Sequence, residues 1–198
     1  MIFHFKKPYL ILSTNFCLTF VIKETVNLKS NIYLIGMMGS GKSTIGKMLA
    51  KHLNKNLIDV DYKIEDFFGI SIAQIFDKYG EERFRRIEET YFVEKSKSKN
   101  LIFSTGGGII LSKKNRQILQ LSKKTIYLKT SPKQLLFRMK NNYSNRPLIL
   151  NSKLSPIDTI NEISKKRDLM YKKSSHITIE TDDLSKVELL KKIINCVI

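Results

Sequence analysis

Apolar residues in this chain fall into short continuous runs separated by longer stretches in which they recur every three or four positions. Asn31 to Ile35, Leu57 to Val60, Leu101 to Ser104, Thr125 to Leu128 and Ile177 to Glu180 have the length and the β-branched or apolar content of strands. Between them, Lys42 to Leu53 and Glu81 to Lys95 carry helical spacing. Pro132 and Pro156 are placed to open helices in their first turns, where a missing N–H leaves no bond unmade, and Ser185 is placed to cap the last helix. Strands alternating with helices predict βαβ units around a parallel sheet. The polar stretch Lys140 to Lys153, rich in asparagine and interrupted by Pro147, reads as a mobile loop.

Residues Met1 to Lys29 follow neither pattern: they are apolar and aromatic, lack glycine, and are broken by Pro8 and by Ser13 to Asn15. They are expected to form a flexible extension ahead of a domain over residues 30–198. The polar interruption and the lack of a small-x-small site count against a secretory signal, and the apolar run falls short of the roughly 18 residues of a membrane span.

Composition narrows the possibilities further. A chain of 198 residues that is 42% apolar has the size and the material for one domain with a buried core. Its two cysteines, Cys17 and Cys196, are too far apart in sequence and too few for a disulfide framework or a zinc cluster. Lys and Arg number 35 against 18 Asp and Glu, so the net charge is +17, which favours anionic partners without choosing between nucleic acid, membrane surface and phosphorylated ligands.

Glycine supplies the first chemical clue. Six of the nine glycines stand in two stretches, each directly after an expected strand: Gly36, Gly39 and Gly41, then Gly106, Gly107 and Gly108. In an open parallel sheet, ligands bind in the crevice at the carboxyl ends of strands. Gly36 to Ser43 spells G-x-x-x-x-G-K-S between a strand and a helix, the context that makes this pattern a phosphate cradle. The backbone N–H groups of Gly39, Ser40, Gly41, Lys42, Ser43 and Thr44 would face the polyphosphate, Lys42 would reach the β- and γ-phosphates, and the Ser43 hydroxyl would ligate Mg²⁺.

Asp59 and Asp61, two residues apart at the end of the second strand, offer one carboxylate for a metal's water shell and one for an attacking hydroxyl; a helix cap is the plainer role for either. The charge-dense run Glu81 to Glu89 reads first as a solvated helix face stapled by pairs such as Glu81 to Arg85. Three consecutive glycines at 106–108 lose backbone entropy on folding, and close approach of a ligand is the economical explanation.

In order, GMMGSGKST, DVD, FRRIEE, TGGG, RPL and the arginine of KKRDLMY resemble the shikimate kinases over about Asn31 to Val197. The resemblance implies a three-layer α/β sandwich around a five-stranded parallel sheet, of the P-loop nucleoside monophosphate kinase type, with a mobile lid at about 140–153. It implies transfer of the ATP γ-phosphoryl group to the 3-hydroxyl of shikimate. It assigns the shikimate carboxylate to Arg85 and Arg167, and the ring hydroxyls to Asp61 and the Gly106 to Gly108 backbone, with Glu88 fixing Arg85. Arg138 would lie on adenine, Arg146 would arrive with the lid, and Asp59 would hold the metal through water. Lys42, Asp61 and Arg146 are the expected catalytic groups. Leu169-Met170 stands where the family usually has Pro-Leu, and the lid is one residue longer than usual. A cytoplasmic monomer that uses neither nucleic acid nor membrane is implied as well.

Two rival readings share some of these features. A gluconate kinase would share the fold. A nucleic-acid-binding protein would use the +17 charge, but lysines are spread along the whole chain without a basic-aromatic module.

Overall fold

The computed structural model describes residues 31–139 and 146–197. The extension read at residues 1–29 and the first part of the lid lie outside the described residues.

Five strands form one parallel sheet: β1 (Ile32–Ile35), β2 (Asn56–Asp59), β3 (Leu101–Ser104), β4 (Thr125–Lys129) and β5 (Ile177–Glu180), in the order β2-β3-β1-β4-β5. All five expected strands are present, with boundaries shifted by one residue at most. Central β1 is buried along its whole length, as a strand covered on both faces must be. Asn31, expected as its first residue, instead ties neighbouring elements together. Its amide donates to the carbonyls of Ser96 and Ser98 and accepts from the Leu101 N–H.

The period-two alternation of β1 divides the core. Ile32 and Leu34 pack on one face with Ile45 and Leu49 of α1 (Lys42–Leu53) and with Leu189 and Ile193 of the C-terminal helix α9 (Lys186–Val197). Tyr33 and Ile35 pack on the other, where Tyr33 stacks on Phe103 at 4.8 Å. That second face is covered by α2 (Val60–Phe68), α3 (Ile72–Tyr79), α4 (Glu81–Ser96), α5 (Lys113–Leu121), α6 (Pro132–Arg138), α7 (Pro147–Leu150) and α8 (Pro156–Ser174). Two helical layers with a sheet between them make the expected three-layer sandwich.

The helix openings follow the sequence. Pro132 and Pro156 each stand in a first turn, and Ser131, Ser155 and Ser185 accept from the N–H three residues on. Helices α2, α3, α5 and α7 were not expected; α7 lies inside the 140–153 stretch read as a mobile loop, where Pro147 opens a short helix instead of interrupting a loop. Because β1 and β3 pair in parallel with Leu34 opposite Ser104, the two glycine stretches leave the same sheet edge side by side.

Candidate active site

The turn after β1 wraps into a nest. Gly36 lies where a Cβ would come within 2.7 Å of the Leu128 carbonyl, and Gly41 adopts a left-handed conformation, φ 91°, as the residue that opens α1. Helix α1 therefore aims its N-terminal amides into the concavity, the arrangement that holds anions. Lys42 is buried, and its ammonium donates to the Met37 carbonyl at 2.7 Å and to Ser40 Oγ at 3.3 Å. Burial pulls its pKa down to about 8, against the attraction of Asp61. The Ser43 hydroxyl shares a hydrogen bond of 3.2 Å with Ser104 at the end of β3.

Asp59 ends β2 and Asp61 falls in the first turn of α2. Asp59 is a helix cap, its Oδ1 accepting the Tyr62 N–H at 3.3 Å, and it also lines a cavity of about 570 Å³ together with Asp61. Burial pushes Asp61 up to about 7; repulsion from Glu88 and Asp59 adds to this, and Lys42 and Arg146 oppose it.

Arg85 projects from α4 into the same cavity. Glu88, one turn on, holds its Nη1 at 2.8 Å, and Glu81 holds Nε at 3.1 Å and Nη2 at 3.0 Å. The expected Glu81 staple is thus real, and it orients a guanidinium that is only 20% exposed. Burial works against the Arg85 charge, and the two glutamates outweigh it, so its pKa rises. Glu88 is itself buried; desolvation pushes its carboxyl up while Arg85 draws it down. Its Oε1 has no hydrogen-bond partner among the described residues.

The triple glycine has a local cause beside any ligand. A Cβ at Gly106 would stand 2.5 Å from both Asp61 Oδ1 and Glu88 Oε1, and one at Gly108 would run into the Arg85 guanidinium. The side chains of the site itself press against this turn, so small residues are required even before a ligand arrives. From α8, Arg167 reaches over and donates to the Gly107 carbonyl at 3.0 Å.

A second cavity, of about 740 Å³, opens over the nest between α6 and the loop after β5. Arg138 lines it, with its Nη2 on the Thr181 carbonyl at 2.7 Å and its Nη1 on Thr181 Oγ1 at 3.0 Å. Met38, Ser43, Asp61, Gly107 and Arg146 line both cavities, so the two spaces meet there. Arg146, at the start of α7, has a buried Nε without a hydrogen-bond partner among the described residues. Every residue expected from the sequence at the site is found around these two cavities except Glu88, which stands behind Arg85. Sequence reasoning missed Ser104 and Tyr171. Tyr171 had a visible signal, since it stands four residues after Arg167 in a helical stretch.

A family model for shikimate kinase matches residues 38–198. The chain belongs to the shikimate kinase family. Among curated family members, the shikimate kinase of Thiobacillus denitrificans is 39% identical over 153 residues, covering 77% of this chain and 82% of its own. That of Haemophilus influenzae is 37% identical over 169 residues, covering 85% and 93%. Among solved structures, a shikimate kinase from Acinetobacter baumannii in complex with shikimate aligns with a TM-score of 0.78 at 36% identity, over 87% of this chain and 95% of that one. A gluconokinase from Sinorhizobium meliloti aligns at 13% identity with a TM-score of 0.54. That likeness is one of fold alone, so the gluconate reading loses to the family's.

Proposed function

We propose that the cavity over the glycine nest takes ATP, that the cavity under Arg85 and Arg167 takes shikimate, and that phosphoryl transfer occurs where they meet. The chain is an ATP-dependent kinase of shikimate, and the carrying observation is that Asp61, Arg146 and Ser43 line both spaces. Two guanidinium forks suit the one carboxylate of shikimate, which accepts paired N–H donors in a plane.

Asp61 receives the proton of the 3-hydroxyl as its oxygen bonds to the γ-phosphorus. The bond from that phosphorus to the β,γ-bridging oxygen breaks, leaving ADP and shikimate 3-phosphate. Burial has already raised Asp61 into the range where a carboxylate accepts a proton near neutral pH. Lys42 exchanges the Met37 carbonyl for a phosphate oxygen, and Arg146 adds charge beside the equatorial oxygens. Arg138 holds the rim where the base would lie.

The donor set fits Mg²⁺: a hydroxyl from Ser43 and a carboxylate from Asp59 face one cavity, hard oxygens few enough to leave room for water and phosphate ligands. When bound, Mg²⁺ neutralises polyphosphate charge. No helix among the described residues is long and apolar enough to cross a membrane, and the family resemblance supports a cytoplasmic monomer working on ATP and shikimate. An assay coupled to ADP release tests the reaction: with Mg-ATP present, turnover should rise on adding shikimate and stay at background with gluconate. Equal rates with and without shikimate would overturn the reading.

A further inference from the structure

Tyr171 is fully buried on α8, one helical turn beyond Arg167 and on the same face. Its hydroxyl donates to the Gly107 carbonyl, the same oxygen to which Arg167 Nη1 donates at 3.0 Å. A Cβ on Gly107 would lie 3.2 Å from the Met38 amide nitrogen and 3.7 Å from the Tyr171 hydroxyl, so the residue is close to both. The Gly107 peptide is therefore wedged between the phosphate-binding turn and Tyr171, at a point lining both cavities.

The ring is itself fixed. It stacks on Tyr127 with centroids 4.9 Å apart and planes 20° from parallel. Tyr127 in turn donates from its hydroxyl to Asp168 Oδ1 at 3.0 Å, the residue next to Arg167. Burial pushes the Tyr171 phenol up, so it stays neutral and remains a donor.

A carbonyl oxygen has two acceptor positions, and leaving one empty in a buried place is unfavourable. We propose that Tyr171 is a positioning residue for shikimate: its hydroxyl fills one acceptor position of Gly107, so Arg167 commits a single N–H to that carbonyl and keeps the rest of its fork for the substrate carboxylate. Without the hydroxyl, the carbonyl draws the guanidinium inward and the carboxylate loses one of its two arginines. The inference rests on the reading of Arg167 as a carboxylate ligand.

The test compares Tyr171→Phe, which keeps the ring and its stacking, with Arg167→Lys. Tyr171→Phe should raise the shikimate KM roughly 3- to 10-fold, the size of one hydrogen bond, with the ATP KM and kcat within about twofold. Competition by shikimate methyl ester, which lacks the carboxylate charge, should be unchanged. An unaltered shikimate KM, equal rises in both KM values, or an equal loss of ester binding would overturn the proposal. If Tyr171→Phe does not fold, Tyr127→Leu, which removes the stacked ring, is judged by the same three readouts. Arg167→Lys separates the premises. If it leaves the shikimate KM unchanged, the site reading fails; if it raises the KM while Tyr171→Phe does not, only the inference fails.

Discussion

Asp61 occupies a position where the fold is strained by its own chemistry. Its pKa, raised from 3.8 to about 7, means that the folded chain binds more protons than the unfolded chain between those values, so stability falls as pH rises through that window. Asn at this position carries no such cost. Asp61→Asn should therefore melt at about the parent's temperature at pH 4 and above it at pH 8, as thermal unfolding at the two pH values would show. The same variant should lose roughly 10²-fold or more in kcat, because the proton acceptor is gone; near-normal turnover would remove Asp61 from the base role. Arg85→Lys should raise the shikimate KM more than the ATP KM in steady-state kinetics, since an ammonium cannot span two carboxylate oxygens and also satisfy Glu81 and Glu88. At this scale the sequence was informative where one residue type is chemically obligatory. At Gly106 and Gly108 it was incomplete, because the small size also serves the close packing of Asp61, Glu88 and Arg85. It offered Tyr171 one turn beyond Arg167 but not its partner, a main-chain carbonyl 64 residues away.

The elements show where legibility stops and why. All five strands could be read because a covered parallel sheet needs unbroken apolar runs, and α1 and α4 because 12 and 16 residues display the helical period. Helices α2, α3 and α5 have only 9, 8 and 9 residues, too short to stand alone, and they persist through capping and packing. In α3 the Ser71 hydroxyl accepts the Gln74 N–H while the Gln74 side chain accepts the Ser71 N–H, a reciprocal capping box. Ser71→Ala should cost about 1 kcal/mol and lower the melting temperature by about 2–4 °C. Phe76 on this helix lines the cavity under Arg85, the one proposed for shikimate, so the shikimate KM should rise modestly while the ATP KM holds. A melting temperature unchanged by the substitution would show that the box adds no stability.

Across the whole molecule, a +17 chain acts on two anions through clefts carrying Lys42, Arg85, Arg146 and Arg167, and a field of that sign is expected to speed their capture. The kcat/KM for shikimate should fall as salt rises from 20 to 200 mM, with kcat nearly constant; a salt-independent kcat/KM would leave the net charge without a part in capture. The topology placed the two glycine turns on one sheet edge, and that adjacency, which follows from the pairing of β1 with β3, could not be read from spacing alone. The most direct test of the account is a crystal structure with shikimate and a non-hydrolysable ATP analogue bound together. It should show the shikimate carboxylate between Arg85 and Arg167, with the 3-hydroxyl on Asp61 and facing the γ-phosphate. Shikimate bound away from both arginines, or its 3-hydroxyl turned from the nucleotide, would contradict it.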